Sequence, residues 1–296
     1  MIKAAHHVRR LSAGLALAGA ALMATSASAL HVLGDRDVAR MVSLGGSCLR
    51  CELSGRDLTG AVFTGATFTQ ATLVGANLRG AELFGSNFAQ SDFTRADMRG
   101  IEIVGASFVE ATFTSARMDG AEAHGASFLR ADLTRASLAG AELVGVNFGH
   151  ATLTRADLSE TELFGADLSN VDATGAVFRN AEMVAANLTG GRFDRADFAH
   201  ANLQSARLTG GRFDRADFAN AELSRSDIRG ANLSGARNLS QRQVDEACGD
   251  GGTRLPAGLT VRHCSARTIM IGRPPAPPAP PAPPAAARRH IWTAGQ

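Results

Sequence analysis

Residues 61–85 read AVFTG ATFTQ ATLVG ANLRG AELFG, five blocks of five in which the first residue is Ala and the third is Phe or Leu. Working outward, the large position recurs without a slip at every fifth residue from Leu53 to Leu233. It holds Leu, Phe, Met or Ile at 35 of 37 sites, the exceptions being Ala123 and Ala173. A small residue, usually Ala, stands two places before each. Small in, polar out, large in suits an extended chain, whose alternate residues share a side. An α-helix advances about 500° in five residues and would smear the large positions around its circumference. Helix is therefore rejected despite the Ala content.

A longer period lies on top of the short one. Residues 188–199 and 208–219 both read LTGGRFDRADFA, and Glu recurs at Glu82, Glu102, Glu122, Glu142, Glu162 and Glu182. Phe68, Phe88, Phe108, Phe128 and Phe148 repeat at the same spacing of 20 and are expected to form an internal ladder. A fixed period of this size marks a chain that buries its core by stacking on itself.

The pattern of Ala76-Asn77-Leu78-Arg79-Gly80 and Ala166-Asp167-Leu168-Ser169-Asn170 resembles the pentapeptide-repeat family, in its exported bacterial type with Cys-containing caps. The resemblance covers about 185 contiguous residues. It implies an all-β fold, a right-handed quadrilateral β-helix (a solenoid with one pentapeptide per side) with short helical caps at the ends. Just over nine coils, at roughly 4.8 Å each, predict a rod about 44 Å long.

Composition agrees with such an interior. The 296 residues include 32 Gly and no Tyr, and aromatics make up 5% against 45% hydrophobic residues overall. Length alone would suggest about two domains; the unbroken register replaces that with one solenoid. With 30 basic and 28 acidic residues the chain lacks the strongly basic balance of a general nucleic-acid binder. Residues 1–29 read as a signal peptide: Lys3, Arg9 and Arg10, an apolar run from Leu11 to Ala24, then Ala27-Ser28-Ala29 as a cleavage site. That run is shorter than the ~20 residues needed to span a bilayer. The expected location is therefore exported, periplasmic or extracellular, with no stable membrane insertion after cleavage. Removing this segment takes three basic residues and no acidic one, leaving a side-chain balance of −1.

The rest divides into an N-terminal cap at 30–50, the repeat β-helix at 51–237, a C-terminal cap at 238–264 and a Pro-rich disordered tail at 265–296. A helix from Asp35 to Leu44 would cover the first coil. Ser240 and Gln243 have capping-box spacing for a second helix, with Gly249 as its expected stop. Cys48 and Cys51 are separated from Cys248 and Cys264 by the whole rod, so bonding is expected within each end, in an oxidising compartment. A redox-active reading of Cys48-Leu49-Arg50-Cys51 lacks the βαβ context it would need. Pro274–Pro284 reads as a polyproline II spacer of up to ~34 Å, and Arg288-Arg289-His290-Ile291-Trp292, with the only Trp, forms a candidate docking peptide. Gly191 and Gly211, standing where Ala is usual, predict the loosest part of the rod.

Function is less legible. Grouped by side, the face with the Glu series carries seven acids and one base, while the others are close to balanced. Carboxylates one coil apart repel by roughly 1 kcal/mol per pair in water. On the same face Phe84, Val104, His124, Val144, Phe164 and Val184 follow the large position, where side chains point outward. Two readings stand: an interface for an unknown protein partner or for self-association, and a by-product of repeat duplication. A metal-binding carboxylate ladder is disfavoured because no His or Asp completes a ligand cluster. His150, His200 and His263 do not align, and no phosphate loop is present. No catalytic group, cofactor or metal site is assigned, and the chain is expected not to be an enzyme. Family members similar in repeat pattern inhibit DNA-handling enzymes such as topoisomerases by DNA mimicry; that alternative needs a cytoplasmic location and wider acidity.

Overall fold

Each pentapeptide brings five backbone N–H groups, and their destinations define the coil. The large residue donates to the carbonyl 19 residues on, as Leu53 does to Thr72 at 2.7 Å, and the residue two places later does the same, Gly55 to Val74 at 2.9 Å. The residue before the large one donates backward, Thr72 to Cys51 at 2.7 Å. The small residue closes the corner onto the preceding large residue, Ala61 to Leu58 at 3.0 Å. The fifth N–H, just after the large residue, commonly goes to a side chain. Thr94 donates to Asp92 Oδ1 at 2.8 Å and Thr134 to Asp132 Oδ1 at 2.9 Å. This is why Asp or Asn so often precedes the large residue: a short side-chain oxygen satisfies its own turn. The last residue of each block is left-handed, with φ 64° at Gly75 and 59° at Arg95, a conformation that glycine adopts at no steric cost.

The computed structural model describes residues 46–264. The segment 1–29 expected to be a signal peptide, the helix expected at Asp35–Leu44 and the Pro-rich segment 265–296 lie outside the described residues. Parallel bridges join residues 20 apart from Ser47 with Thr67 to Asp217 with Arg237, so the blocks stack into four faces of a β-helix. Face I holds the blocks beginning at 61, 81 and so on to 221. Faces II, III and IV follow around the coil, holding the blocks that begin at 66, 71 and 76.

Thirteen of the 15 Phe lie inside and are buried. Along face II Phe68, Phe88, Phe108, Phe128 and Phe148 stack at centroid separations of 5.1–5.7 Å. Edge contacts from Phe93 and Phe113 on face III tie this ladder across the corner, Phe108 to Phe113 at 5.3 Å. A second block comprises Phe178, Phe198 and Phe218 on face IV with Phe193 and Phe213 on face III. Each such pair adds about 0.5–1.5 kcal/mol beyond burial. Polar residues at the small position are absorbed by the corner. Ser91 Oγ receives the N–H of Ala71 at 3.1 Å and donates to the carbonyl of Phe68 at 2.6 Å. Ser86 bridges Ala66 and Phe63 in the same way.

The expectation of a loose region at Gly191 and Gly211 is not met. A methyl at Gly191 would lie 2.6 Å from Phe193 Cε2 and 3.3 Å from Val171 Cγ2, and one at Gly211 would lie 2.8 Å from Phe213 Cε2. The rings lean into the space that Ala fills elsewhere. The cause starts one coil earlier, where Val171 and Ala173 exchange the usual small and large places. Gly191 and Phe193 answer that exchange.

Two expected boundaries also move. Ser47 is already paired with Thr67, so the ladder begins before residue 51. Cys48 takes the large inward place and Cys51 the small one, and the disulfide between them, Cα atoms 5.7 Å apart, staples that first corner. At the other end α1, Gln241–Glu246, starts at Ser240 with the capping box complete. It does not run to Gly249. Ala247 is extended, and Cys248 returns to the ladder by donating to Ser226 at 2.9 Å and pairing with Asp227. Buried Gln243 plugs the open end, its Nε2 donating to the carbonyls of Phe218 and Ala221, both at 2.8 Å. The Cys248–Cys264 disulfide then fastens the segment that closes over face II.

A candidate interaction face

Face I departs from the turn hydrogen bond that Asp and Asn make on the other three. Where Asp or Asn would curl back to its own turn, six successive coils carry Glu, bridged from Glu82 to Glu102 and on through Glu122, Glu142 and Glu162 to Glu182. Along this row the longer side chain leaves the turn, whereas Glu52 on face III still accepts the N–H of Ser54 at 2.8 Å. Among the described residues no hydrogen bond or ion pair reaches the carboxylates of Glu82, Glu102, Glu122 or Glu162. Glu142 lies 3.4 Å from His124 Nε2, and Glu182 accepts from Asn202 Nδ2 at 2.8 Å. Asn202 itself restores the ordinary pattern, receiving the N–H of Gln204 at 3.1 Å. The row is half-buried at Glu82 and Glu102 and exposed from Glu122 to Glu182.

Carboxylates elsewhere are committed to the fold. At Asp57 the hydroxyl and backbone N–H of Thr59 hold the carboxyl below its ordinary value, aided by Asn77. At Asp97 the Arg99 guanidinium does the same through bonds of 2.8 and 2.6 Å. Burial pushes Asp227 upward, but Arg229, through its guanidinium and its backbone N–H, brings it below the ordinary value. Along the corner after face II runs another committed row: Arg50 to Gln70 at 2.9 Å, Gln70 to Gln90 at 3.0 Å, Gln90 to Glu110 at 2.9 Å, and Arg130 beside Glu110.

The apolar residues of face I form one file beside the Glu row. Phe164 is 43% exposed, whereas Phe84, Val104, His124, Val144 and Val184 are half-buried against their neighbours. Of these six, Phe164 alone is a large, exposed apolar group. The corner beyond them is bare, because at Gly85, Gly125 and Gly165 an added methyl would meet nothing within 4 Å. Sequence reasoning placed these residues on one side but missed that their carboxylates are released from the turns. The signal was present as an unbroken run of six Glu in place of Asp or Asn on that face, against the single Glu52 elsewhere. The remaining candidates are dispersed: His150 and His200 occupy corners of faces II and IV. Asp227, Cys248 and Cys264 lie within 4.8 Å of one another, but both sulfurs are consumed by the disulfide and Arg229 holds the carboxylate, so the donor set does not suit a metal.

Among solved structures, the chain is similar to HetL from the cyanobacterium Nostoc sp. strain PCC 7120, a pentapeptide repeat protein involved in heterocyst differentiation regulation. Identity is 27%, with 78% of this chain and 100% of that chain covered and a TM-score of 0.47. QnrB1, a plasmid-mediated fluoroquinolone resistance protein, is 20% identical, with 67% of this chain and 93% of that chain covered and a TM-score of 0.41. A pentapeptide repeat protein of the Arabidopsis thaliana thylakoid lumen is 30% identical over 38% of this chain and 67% of that chain, with a TM-score of 0.14. Comparison with curated proteins returns no match. Pentapeptide repeats are matched in eight copies, over residues 47–88, 61–100, 91–128, 131–170, 161–198 and 196–235. With that coverage, and with four stacked faces of five residues each, the chain belongs to the pentapeptide-repeat family, whose fold is the right-handed quadrilateral β-helix.

Proposed function

We propose that the chain is an exported, non-enzymatic protein-interaction rod that engages a partner through face I. One observation carries this reading: the backbone does not use the Glu row, so its carboxylates serve no turn while an apolar file runs beside them. Family membership supports it, since pentapeptide-repeat proteins are generally structural or interaction proteins. Burial of Ala, Leu and Phe along the coils leaves the chemically rich side chains on the outer surface. Export rests on the reading of residues 1–29 and accords with cysteines paired at both ends. DNA mimicry would call for acidity over several faces, and here, among the described residues, the uncommitted carboxylates other than Glu160 follow one.

Cell fractionation with an antibody to the rod, combined with the mass of the recovered chain, tests export. Chain shortened by residues 1–29 in the periplasm or medium is expected; full-length chain confined to the cytoplasm would overturn export and favour the mimicry reading. For the face, Phe84→Asp with Phe164→Asp should abolish association with whatever partner or second copy the mature chain binds. Circular dichroism should be unchanged, and unaltered association would sink the assignment.

A further inference from the structure

The described rod and the segment that follows it have opposite charge. Residues 46–264 carry 21 Arg and 26 acidic residues, a balance of −5, whereas residues 265–296 carry Arg267, Arg273, Arg288 and Arg289 and no Asp or Glu. Apolar groups in that segment come as Ile269-Met270-Ile271 and Ile291-Trp292. Face I presents the complementary features in the same proximity, free carboxylates beside half-buried Val and exposed Phe164.

The geometry points to residues 288–292 as the occupant of face I in the unliganded protein. This rests on the reading of face I as the interaction surface and deepens it, because an outside partner must then displace the chain's own tail. Reach permits it. Cys264 donates to Gly249 at 3.0 Å in the layer over face II, the face that adjoins face I. Phe164 lies four coils below Cys248, about 19 Å at ~4.8 Å per coil, and Phe84 eight coils below, about 38 Å. The 23 residues from 265 to 287 could span at most about 71 Å at 3.1 Å per residue. The other faces compete poorly. Their acids are largely engaged with Arg, Thr or backbone N–H, as at Asp97, Asp132 and Asp227. Tethering supplies an effective concentration on the order of 1 mM, so an intrinsic Kd of about 0.1 mM keeps roughly nine-tenths of the tails docked.

Trp292 is the only Trp and there is no Tyr, so intrinsic fluorescence reports this segment alone. The mature full chain is compared with a synthetic peptide of residues 265–296 by emission maximum and acrylamide quenching. Docking predicts a blue-shifted emission and a several-fold lower quenching constant, independent of protein concentration. The protection should weaken at 1 M salt, where the Debye length falls to about 3 Å. Glu122→Gln, Glu162→Gln and Phe164→Ala together should restore peptide-like quenching, while Asp132→Asn on the opposite face should not. Quenching equal to the peptide's, or protection that survives the triple substitution, overturns the proposal. Protection that rises with concentration alongside a doubled mass places the tail on a second copy and also overturns it. None of these readouts involves an outside partner, so failure here leaves the association test of face I standing, and the reverse.

Discussion

Gly191→Ala is the substitution on which repeat pattern and packing disagree in sign. Ala is the usual residue at that place, Gly191 is not left-handed, and replacing Gly by Ala at a compatible site stabilises by about 0.4–1 kcal/mol through the unfolded chain. The structure opposes this. The new methyl would stand 2.6 Å from Phe193 Cε2, 3.1 Å from its Cζ and 3.3 Å from Val171 Cγ2. Phe193 cannot simply yield, since it stacks on Phe213 at 5.2 Å and meets Phe198 at 5.7 Å. Forcing a methylene-sized group into a filled core costs about 1–3 kcal/mol, so the net effect is a loss of about 1–2 kcal/mol. For a rod of this size that lowers the melting temperature by roughly 2–8 °C.

Two further variants separate the causes. Gly191→Ala with Phe193→Leu recreates the ordinary Ala-x-Leu block and should recover much of the loss, giving a coupling energy that two independent sites would not show. Gly191→Ala with Gly211→Ala lets both stacked rings move together and should cost less than the sum of the singles. Thermal melts and urea denaturation read the parent, the singles Gly191→Ala, Phe193→Leu and Gly211→Ala, and the two doubles. A single Gly191→Ala that matches or exceeds the parent in stability would refute the packing argument and reinstate the loose-coil expectation.

The ends supply the other predictions. Cys264→Ser opens a closure of sequence separation 16 and should destabilise the last coil by about 3 kcal/mol, seen as faster hydrogen exchange at Cys248 and Arg254 with the central coils unchanged. Gln243→Ala removes the donor to two buried carbonyls and should cost about 2–4 kcal/mol, again confined by exchange to the C-terminal coils. Asp227 sits below its ordinary value of 3.8 in the folded protein, so its contribution is fully present above that value and is lost as pH falls below it. Asp227→Asn should flatten the acid side of the pH–stability curve at the C-terminal end, and an unchanged curve would remove Asp227 from the account.

Legibility in the sequence followed what the backbone demands. The inward positions were readable because a strict period of five fixes which residues can face inside, and the Phe68 to Phe148 ladder followed from the period of 20. Ser240 and Gln243 were readable as a cap because both partners are local. What escaped were features set by neighbours one coil away. Gly191 looks like a vacancy until Val171 and Ala173 are placed beneath it, and α1 stops at Glu246 because Cys248 must pair with Asp227 rather than because Gly249 follows. Freedom of the Glu row was equally hidden, since it depends on knowing that Asp and Asn elsewhere accept their own turn N–H.

That distinction bears on whether face I is an accident of duplication. A block copied whole carries all of its faces, and the chain contains one evident copy, residues 188–199 in 208–219. The copy spans faces II, III and IV but does not extend over face I, where Ala201-Asn202-Leu203-Gln204-Ser205 and Ala221-Glu222-Leu223-Ser224-Arg225 differ at three of five places. The Glu row shows the converse. From Glu82 to Glu182 the residue stays the same through six coils, while the equivalent place on face III runs Asp92, Thr112, Asp132, Thr152, Asp172 and Arg192. One face holds its chemistry while another drifts, and the fold requires only that the side chain point outward at both. Packing therefore does not explain the constancy of face I. At about 4.8 Å per coil the six carboxylates form a line of about 24 Å, and a binding surface of that length is the explanation that the association and quenching experiments put at risk.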